Sequence, residues 1–205
     1  MDLLYKPPKW LKSFFPDVLW ENRQEGITLT IDDGPSEDTF RILDSLDRHK
    51  IKAIFFCTGK NIEKYFREFN AIIKAGHRVE NHGYNHKRLL FKGDKANEKE
   101  ISRTNDLIKQ ITGSDSEFFR PPYGWFNFHT TAAVRNKGMK MMMWSFLSGD
   151  HTGDFSQVRR LTDSYLERNT IIVMHDNKKS KEIFDQSLDY IVKTAEEKKY
   201  FFVCF

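Results

Sequence analysis

The chain has 205 residues, of which 39% are hydrophobic and 30% charged, a balance that fits one soluble globular domain with a sizeable core and not a disordered or membrane-spanning chain. Its 33 basic and 29 acidic residues give a formal charge of +4 without any block of five or six like charges, so no nucleic-acid partner is expected. No stretch approaches the roughly 18 apolar residues of a membrane span, and the N-terminal stretch lacks the charged start and apolar run of a signal peptide; the chain as given reads as cytoplasmic, without a membrane partner.

In chain order, residues before about Gln24 form a lead-in rich in Pro and Trp, expected to pack on the outside of the fold through Trp10, Phe14 and Phe15. Short apolar runs then predict strands at 27–31, 51–57, 77–80, 118–120, 139–146, 170–174 and 201–205. Amphipathic stretches at 36–49, 62–75, 96–111, 130–137, 155–168 and 181–198 predict helices between them. Ser36 is placed to cap the first helix, and Gly76, Gly113 and Gly138 fall where helices should stop. Such βα alternation predicts parallel strands, in a barrel or a doubly wound sheet, with chemistry gathered at the C-terminal strand ends. Cys57 and Cys204, both in apolar runs, are expected to be buried thiols and not a disulfide. Lys178, Lys179 and Lys181 read as a solvated loop or helix start.

Polar residues recur at the predicted strand ends. "IDDGP" puts Asp32 and Asp33 side by side; in an extended segment they point to opposite sides, so one can bind a cation while the other stays free as a base. The same letters also read as a turn in which Asp caps the next helix. "NHGYNH" places His82 and His86 four apart, which suits two imidazole ligands or an ordinary hydrogen-bonded pair, and Gly83 argues for a turn. In "RPPYG", Arg120 can pair with a carboxylate or serve a structural role, and the prolines leave Tyr123 and Gly124 with the next free N–H groups. His175 ends "TIIVMHD" and shares the inferred rim with Asp150, which can raise its pKa and make it an acid.

Together these stretches resemble the five motifs of the polysaccharide deacetylase family, the NodB-like carbohydrate esterases: "TIDDGP", "HGYNH", "RPPYG", "WSFLSGDH" and "VMHD", in the family's order, over residues 26–205. The resemblance implies an α/β fold, a distorted (β/α) barrel of about seven parallel strands, with 1–205 a single catalytic domain and 1–25 its lead-in. It implies a metal site of Asp33, His82 and His86 and a base, Asp32, paired with Arg120. The general acid would be His175, tuned by Asp150, and the N–H of Tyr123 would complete an oxyanion site. Tyr123, Trp144, Leu147 and His151 would contact substrate. The implied cofactor is a divalent ion, with His, His and Asp suiting zinc and cobalt, nickel and manganese as alternatives. The implied activity is hydrolysis of N-acetyl groups from a carbohydrate, releasing acetate; the alternatives are a deacylase of another amide or an O-acetyl ester, and an inactive carbohydrate-binding homologue.

Three positions depart from the family pattern. Gly83 stands where Ser or Thr is usual, Leu147 where many members have Asp, and His151 where a Trp commonly lines the acyl pocket. The last puts the identity of the acyl group in question.

Overall fold

The computed structural model describes residues 5–90 and 93–204. Its seven strands are β1 (Thr28–Asp32), β2 (Ile54–Cys57), β3 (Arg78–Asn81), β4 (Phe118–Phe119), β5 (Lys140–Met141), β6 (Phe146–Leu147) and β7 (Ile171–His175). All pair in parallel, in the order β5-β4-β3-β2-β1-β7-β6, and form a half-barrel. The helices are α1 (Lys9–Phe14), α2 (Thr39–Arg48), α3 (Gly59–Lys64), α4 (Phe66–Lys74), α5 (Asp94–Thr112), α6 (Phe128–Asn136), α7 (Phe155–Tyr165) and α8 (Phe184–Glu197).

Alternation along the strands divides the core in two. Leu29, Ile31, Phe55, Cys57, Ile172 and Met174 pack in one cluster with helical residues such as Leu46, Phe69 and Leu188. Ile54, Phe56, Phe119, Ile171 and Val173 pack in a second, on the other face of the sheet. On β1 the residues that alternate with Leu29 and Ile31 are Thr28, Thr30 and Asp32, all buried, so the period of two puts Asp32 on the face opposite the helical cluster.

The edge strands β5 and β6 are consecutive in the chain, and residues 142–145 span the opening between them. The lead-in seals this seam: Leu19 N donates to Met141 O (2.9 Å) and Met143 N to Leu19 O (2.8 Å).

Several sequence expectations need correction. The run 139–146 is two short strands at opposite edges, because the carbonyls of Met142 and Met143 turn to the side chain of Arg120 in place of a neighbouring strand. Residues 201–204 make only an isolated bridge, Ile27 with Phe202. The helix expected at 62–75 is two helices broken at Tyr65 (φ −118°, ψ 50°). Ser36 does not cap α2 directly; its hydroxyl accepts from Asp38 N and donates to Asp176. Trp10 and Phe14 are 62% and 67% exposed, while Phe15 packs against Phe126 at 4.8 Å and Val18 and Trp20 are buried. Cys57 is buried but Cys204 is exposed. Gly76, Gly113 and Gly138 do follow their helices, at φ of 74°, 80° and 72°.

Candidate active site

Arg120 follows β4 and is fully buried, which a guanidinium tolerates only when its donors are satisfied. Its Nη1 donates to Asp32 Oδ1 and to Thr30 Oγ1, both at 2.7 Å. Nε and Nη2 donate to the carbonyls of Met142 (3.1 Å) and Met143 (2.7 Å), and Phe56 lies 4.1 Å from the guanidinium carbon. Burial lowers its pKa and the Asp32 charge opposes this.

Asp32 and Asp33 do not point to opposite sides. The strand ends at Asp32, and Asp33 turns to φ 76°, which breaks the alternation. Both carboxylates therefore come near His82 Nε2, at 3.9 Å for Asp32 and 3.6 Å for Asp33. Asp33 Oδ1 is also 2.9 Å from His86 Nε2, while Oδ2 accepts from Asn177 Nδ2 at 2.7 Å. Burial pushes the Asp33 carboxyl up, but hydrogen bonds with His82 and His86 outweigh it and hold the group well below its usual range.

His82 directly follows β3. Its Nδ1 is 2.8 Å from the carbonyl of Arg120 and donates there, which fixes the ring with Nε2 turned toward Asp33. Gly83, at φ 73°, is held by its own N–H, which donates to Asn81 Oδ1 at 2.8 Å, and its carbonyl accepts from Gly59 N at 3.0 Å. The histidine loop thus needs no hydroxyl at position 83: Asn81 supplies the anchor. One ligand atom from each of Asp33, His82 and His86 lies within 4.8 Å of the others, and this N,N,O donor set fits a divalent ion.

On the other side, Asp150 is fully buried and points both oxygens at His175: Oδ1 accepts from Nδ1 at 2.8 Å and Oδ2 from the backbone N–H at 2.7 Å. Ser148 Oγ donates to Oδ1 as well. Burial alone would push the His175 pKa down; the charge and hydrogen bond of Asp150 overcome it and raise it to about 9. His151 has its ring 5.0 Å from that of His175 and stacks on Tyr5 at 6.0 Å. Burial and the neighbouring His175 lower its pKa, and among the described residues its buried Nδ1 has no hydrogen-bond partner.

Tyr123 sits at φ 61° in the turn Pro122–Gly124, its ring 4.5 Å from His86. Gly124 (φ 69°) is there for contact: a β-carbon would lie 2.4 Å from Trp144 Cη2. A cleft of about 720 Å³ is lined by Asp32, Asp33, His82, His86, Tyr123, Trp144, Leu147, His151 and His175. Arg120 and Asp150 stand behind it, each bonded to a lining residue.

Sequence reasoning missed the supports: Thr30 on Arg120, Asn81 on the histidine loop, Asn177 and Asn61 on Asp33. It also missed Pro7, Leu11 and Trp20, which bring the lead-in into the cleft wall. Thr30, Asn81 and Asn177 carried a local signal, since the first two open "TIDDGP" and "NHGYNH" and the third follows "VMHD" directly.

This half-barrel, with acid–base and ligand groups gathered at the C-terminal ends of parallel strands, is the architecture of the polysaccharide deacetylase family. A family model described as polysaccharide deacetylase matches residues 21–142, and the chain belongs to that family. It is 29% identical over 150 residues to a peptidoglycan-N-acetylglucosamine deacetylase of Bacillus cereus, covering 73% of this chain and 54% of that protein. It is 35% identical over 140 residues to the peptidoglycan-N-acetylmuramic acid deacetylase PdaC of Bacillus subtilis, covering 68% of this chain and 29% of that protein. The chain thus spans about half or less of the length of these two relatives. The crystal structure of the Bc1960 peptidoglycan N-acetylglucosamine deacetylase, in complex with 4-naphthalen-1-yl-N-oxidanyl-benzamide, superposes with a TM-score of 0.86 at 25% identity, over 97% of this chain and 94% of that one. Among the described residues no helix is long and apolar enough to cross a membrane.

Proposed function

We propose that residues 1–205 form one catalytic domain that hydrolyses N-acetyl groups on a carbohydrate with the help of a divalent ion, yielding acetate and a free amine. The observation that carries this reading is the meeting, in one cleft, of three ligand-capable groups, a carboxylate fixed by Arg120 and a histidine fixed by Asp150. Asp33, His82 and His86 would hold the ion, zinc by preference, with cobalt, nickel or manganese compatible with the donors. Such an ion supplies Lewis acidity toward water and the acyl carbonyl.

The remaining work falls to the chain. Asp32 Oδ2, the oxygen not held by Arg120, accepts the proton of the attacking water, and Arg120 keeps that carboxylate in place. The N–H of Tyr123 supports the developing oxyanion. His175 Nε2, kept protonated through Asp150 on Nδ1, gives its proton to the departing amine as the C–N bond breaks. Asp32, Asp33, His82, His86 and His175 share one cleft, which supports an active enzyme over an idle binding homologue.

Named substrates of the relatives, the amino sugars of peptidoglycan, are the first to test, beside acetylated chitooligosaccharides and acetylxylan. Acetate release from at least one amide substrate, lost in Asp32→Asn, is the expected result. Release from acetylxylan alone would replace the amidase by an esterase, and release from none would remove the proposal.

A further inference from the structure

We propose that the cleft accepts acyl chains longer than acetyl, running from the reacting carbonyl along an apolar channel whose far wall is the N-terminal segment. This rests on the reading of the cleft as the site where an amino-sugar amide is hydrolysed, and it names the class of acyl group that site takes.

The near wall surrounds the reacting groups. Leu147 pairs in register with Val173, two residues before His175. Trp144 lies against Gly124, next to Tyr123, and the Met143 carbonyl holds the guanidinium that holds Asp32. An acetyl methyl needs no more than this. Yet the same cleft continues to Pro7, Leu11 and Trp20, and every described residue the lead-in contributes to the lining is apolar. The Arg and Lys residues of the lining, Arg88, Lys178 and Lys179, come from other loops, those after His86 and Asn177.

The far wall is bonded to the near one. Leu147 N donates to Tyr5 O (2.8 Å), Met143 N to Leu19 O (2.8 Å) and Ser145 Oγ to Trp20 O (3.2 Å). The run that supplies Met143, Trp144 and Leu147 is thus tied at three points to the segment carrying Pro7, Leu11 and Trp20. His151 stacks on the same segment through Tyr5. Sugar hydroxyls placed against Pro7, Leu11 and Trp20 would lose their hydrogen bonds, whereas methylenes would gain from leaving water. A bulk of about 720 Å³ is within the usual range for a ligand of tens of atoms.

The test uses the full chain loaded with zinc and a series of glucosamines N-acylated with acetyl, butanoyl, hexanoyl and octanoyl groups, with release of the free amine measured. N-Acetylglucosamine carried on an octyl glycoside is the control for an apolar group on the other end. Complete burial of a methylene is worth about four-fold, so kcat/KM should rise roughly two- to four-fold per methylene from acetyl to hexanoyl. Leu11→Glu should cost the hexanoyl substrate about ten-fold more than the acetyl one, and the milder Leu11→Ala should flatten the series. If acetyl is cleaved as fast as every longer chain, or the series is unmoved in both variants, the inference falls while the deacetylase reading stands. A gain with the octyl glycoside alone assigns the channel to the aglycone and also overturns it. No amine from any substrate of this series overturns the inference, while the hydrolase reading stands or falls by acetate release from peptidoglycan sugars, chitooligosaccharides and acetylxylan.

Discussion

Arg120 and Asp32 are joined at 2.7 Å in the interior of the half-barrel, and the same guanidinium caps two carbonyls at its open seam. One side chain therefore ties the proposed base to the segment that closes the fold. Arg120→Lys keeps the charge but offers one nitrogen where the structure uses three, so the acceptors Thr30 Oγ1, Asp32 Oδ1 and the carbonyls of Met142 and Met143 cannot all be served. We expect a loss of about 3–5 kcal/mol in urea unfolding, typical of a broken buried pair, and a fall of about 100-fold or more in kcat. Near-native values of both would show that the seam and the base do not depend on it.

His175 sets the alkaline limit. Its folded pKa, about 9, lies above the ordinary 6.5. The folded state therefore holds a proton that the unfolded chain has released: the stabilisation is complete below pH 6.5 and is lost as pH rises through 9. The acid form needed by the leaving amine follows the same curve, so kcat should fall on a limb approaching pH 9, drawn lower by any cation at Asp33. Asp150→Asn removes the charge that raises the pKa and leaves burial unopposed. Its limb should move down toward 6.5 or below, as read from kcat between pH 6 and 10; an unmoved limb would take the acid role from His175.

Gly124 and Gly113 share a left-handed backbone, φ 69° and 80°, but not their surroundings. A β-carbon at Gly113 meets nothing within 4 Å, so Gly113→Ala should cost about 1 kcal/mol from conformation alone and leave activity intact. At Gly124 the added carbon lies 2.4 Å from Trp144 Cη2 and 3.3 Å from Met143 Cε, and must displace the cleft wall. Gly124→Ala should cost more in stability, by about 1–3 kcal/mol beyond the control, and raise KM. Equal effects in thermal unfolding and kinetics would mean that the contact with Trp144 does not shape the cleft.

The βα alternation was legible because buried parallel strands are apolar on both faces and helices on one, as β2 and α2 illustrate. The polar strand ends were legible for the same reason: Asp32 or His175 closing an apolar run stands out. What was illegible depends on partners distant in sequence. Nothing local marks that 139–146 splits, since the split is made by Arg120 and Leu19. Nor does the sequence show that Asp33 adopts a left-handed turn and so joins Asp32 on one side of His82. Phe15 and Trp10 look alike as anchors, yet only the first finds a pocket, beside Phe126.

The histidine loop offers the sharpest test of the metal site. Asn81 anchors it at both ends of its amide, Oδ1 accepting from Gly83 N and Nδ2 donating to Ile101 O, without touching any ligand atom. Asn81→Ala should fold, keep Asp33, His82 and His86, and bind a divalent ion about 10–100-fold more weakly, the usual cost of losing a supporting contact. His82→Ala, which removes a ligand, should leave less than the stoichiometric ion after dialysis. Gly83→Ser, which places a hydroxyl in the loop, should not rescue Asn81→Ala: at φ 73° a side chain is strained whatever it could bond. Zinc affinity by competition with a chromophoric chelator reads all three, independently of turnover. Equal affinity in wild type and Asn81→Ala would mean that His82 is positioned by its own contacts to Cys57 and Arg120 alone.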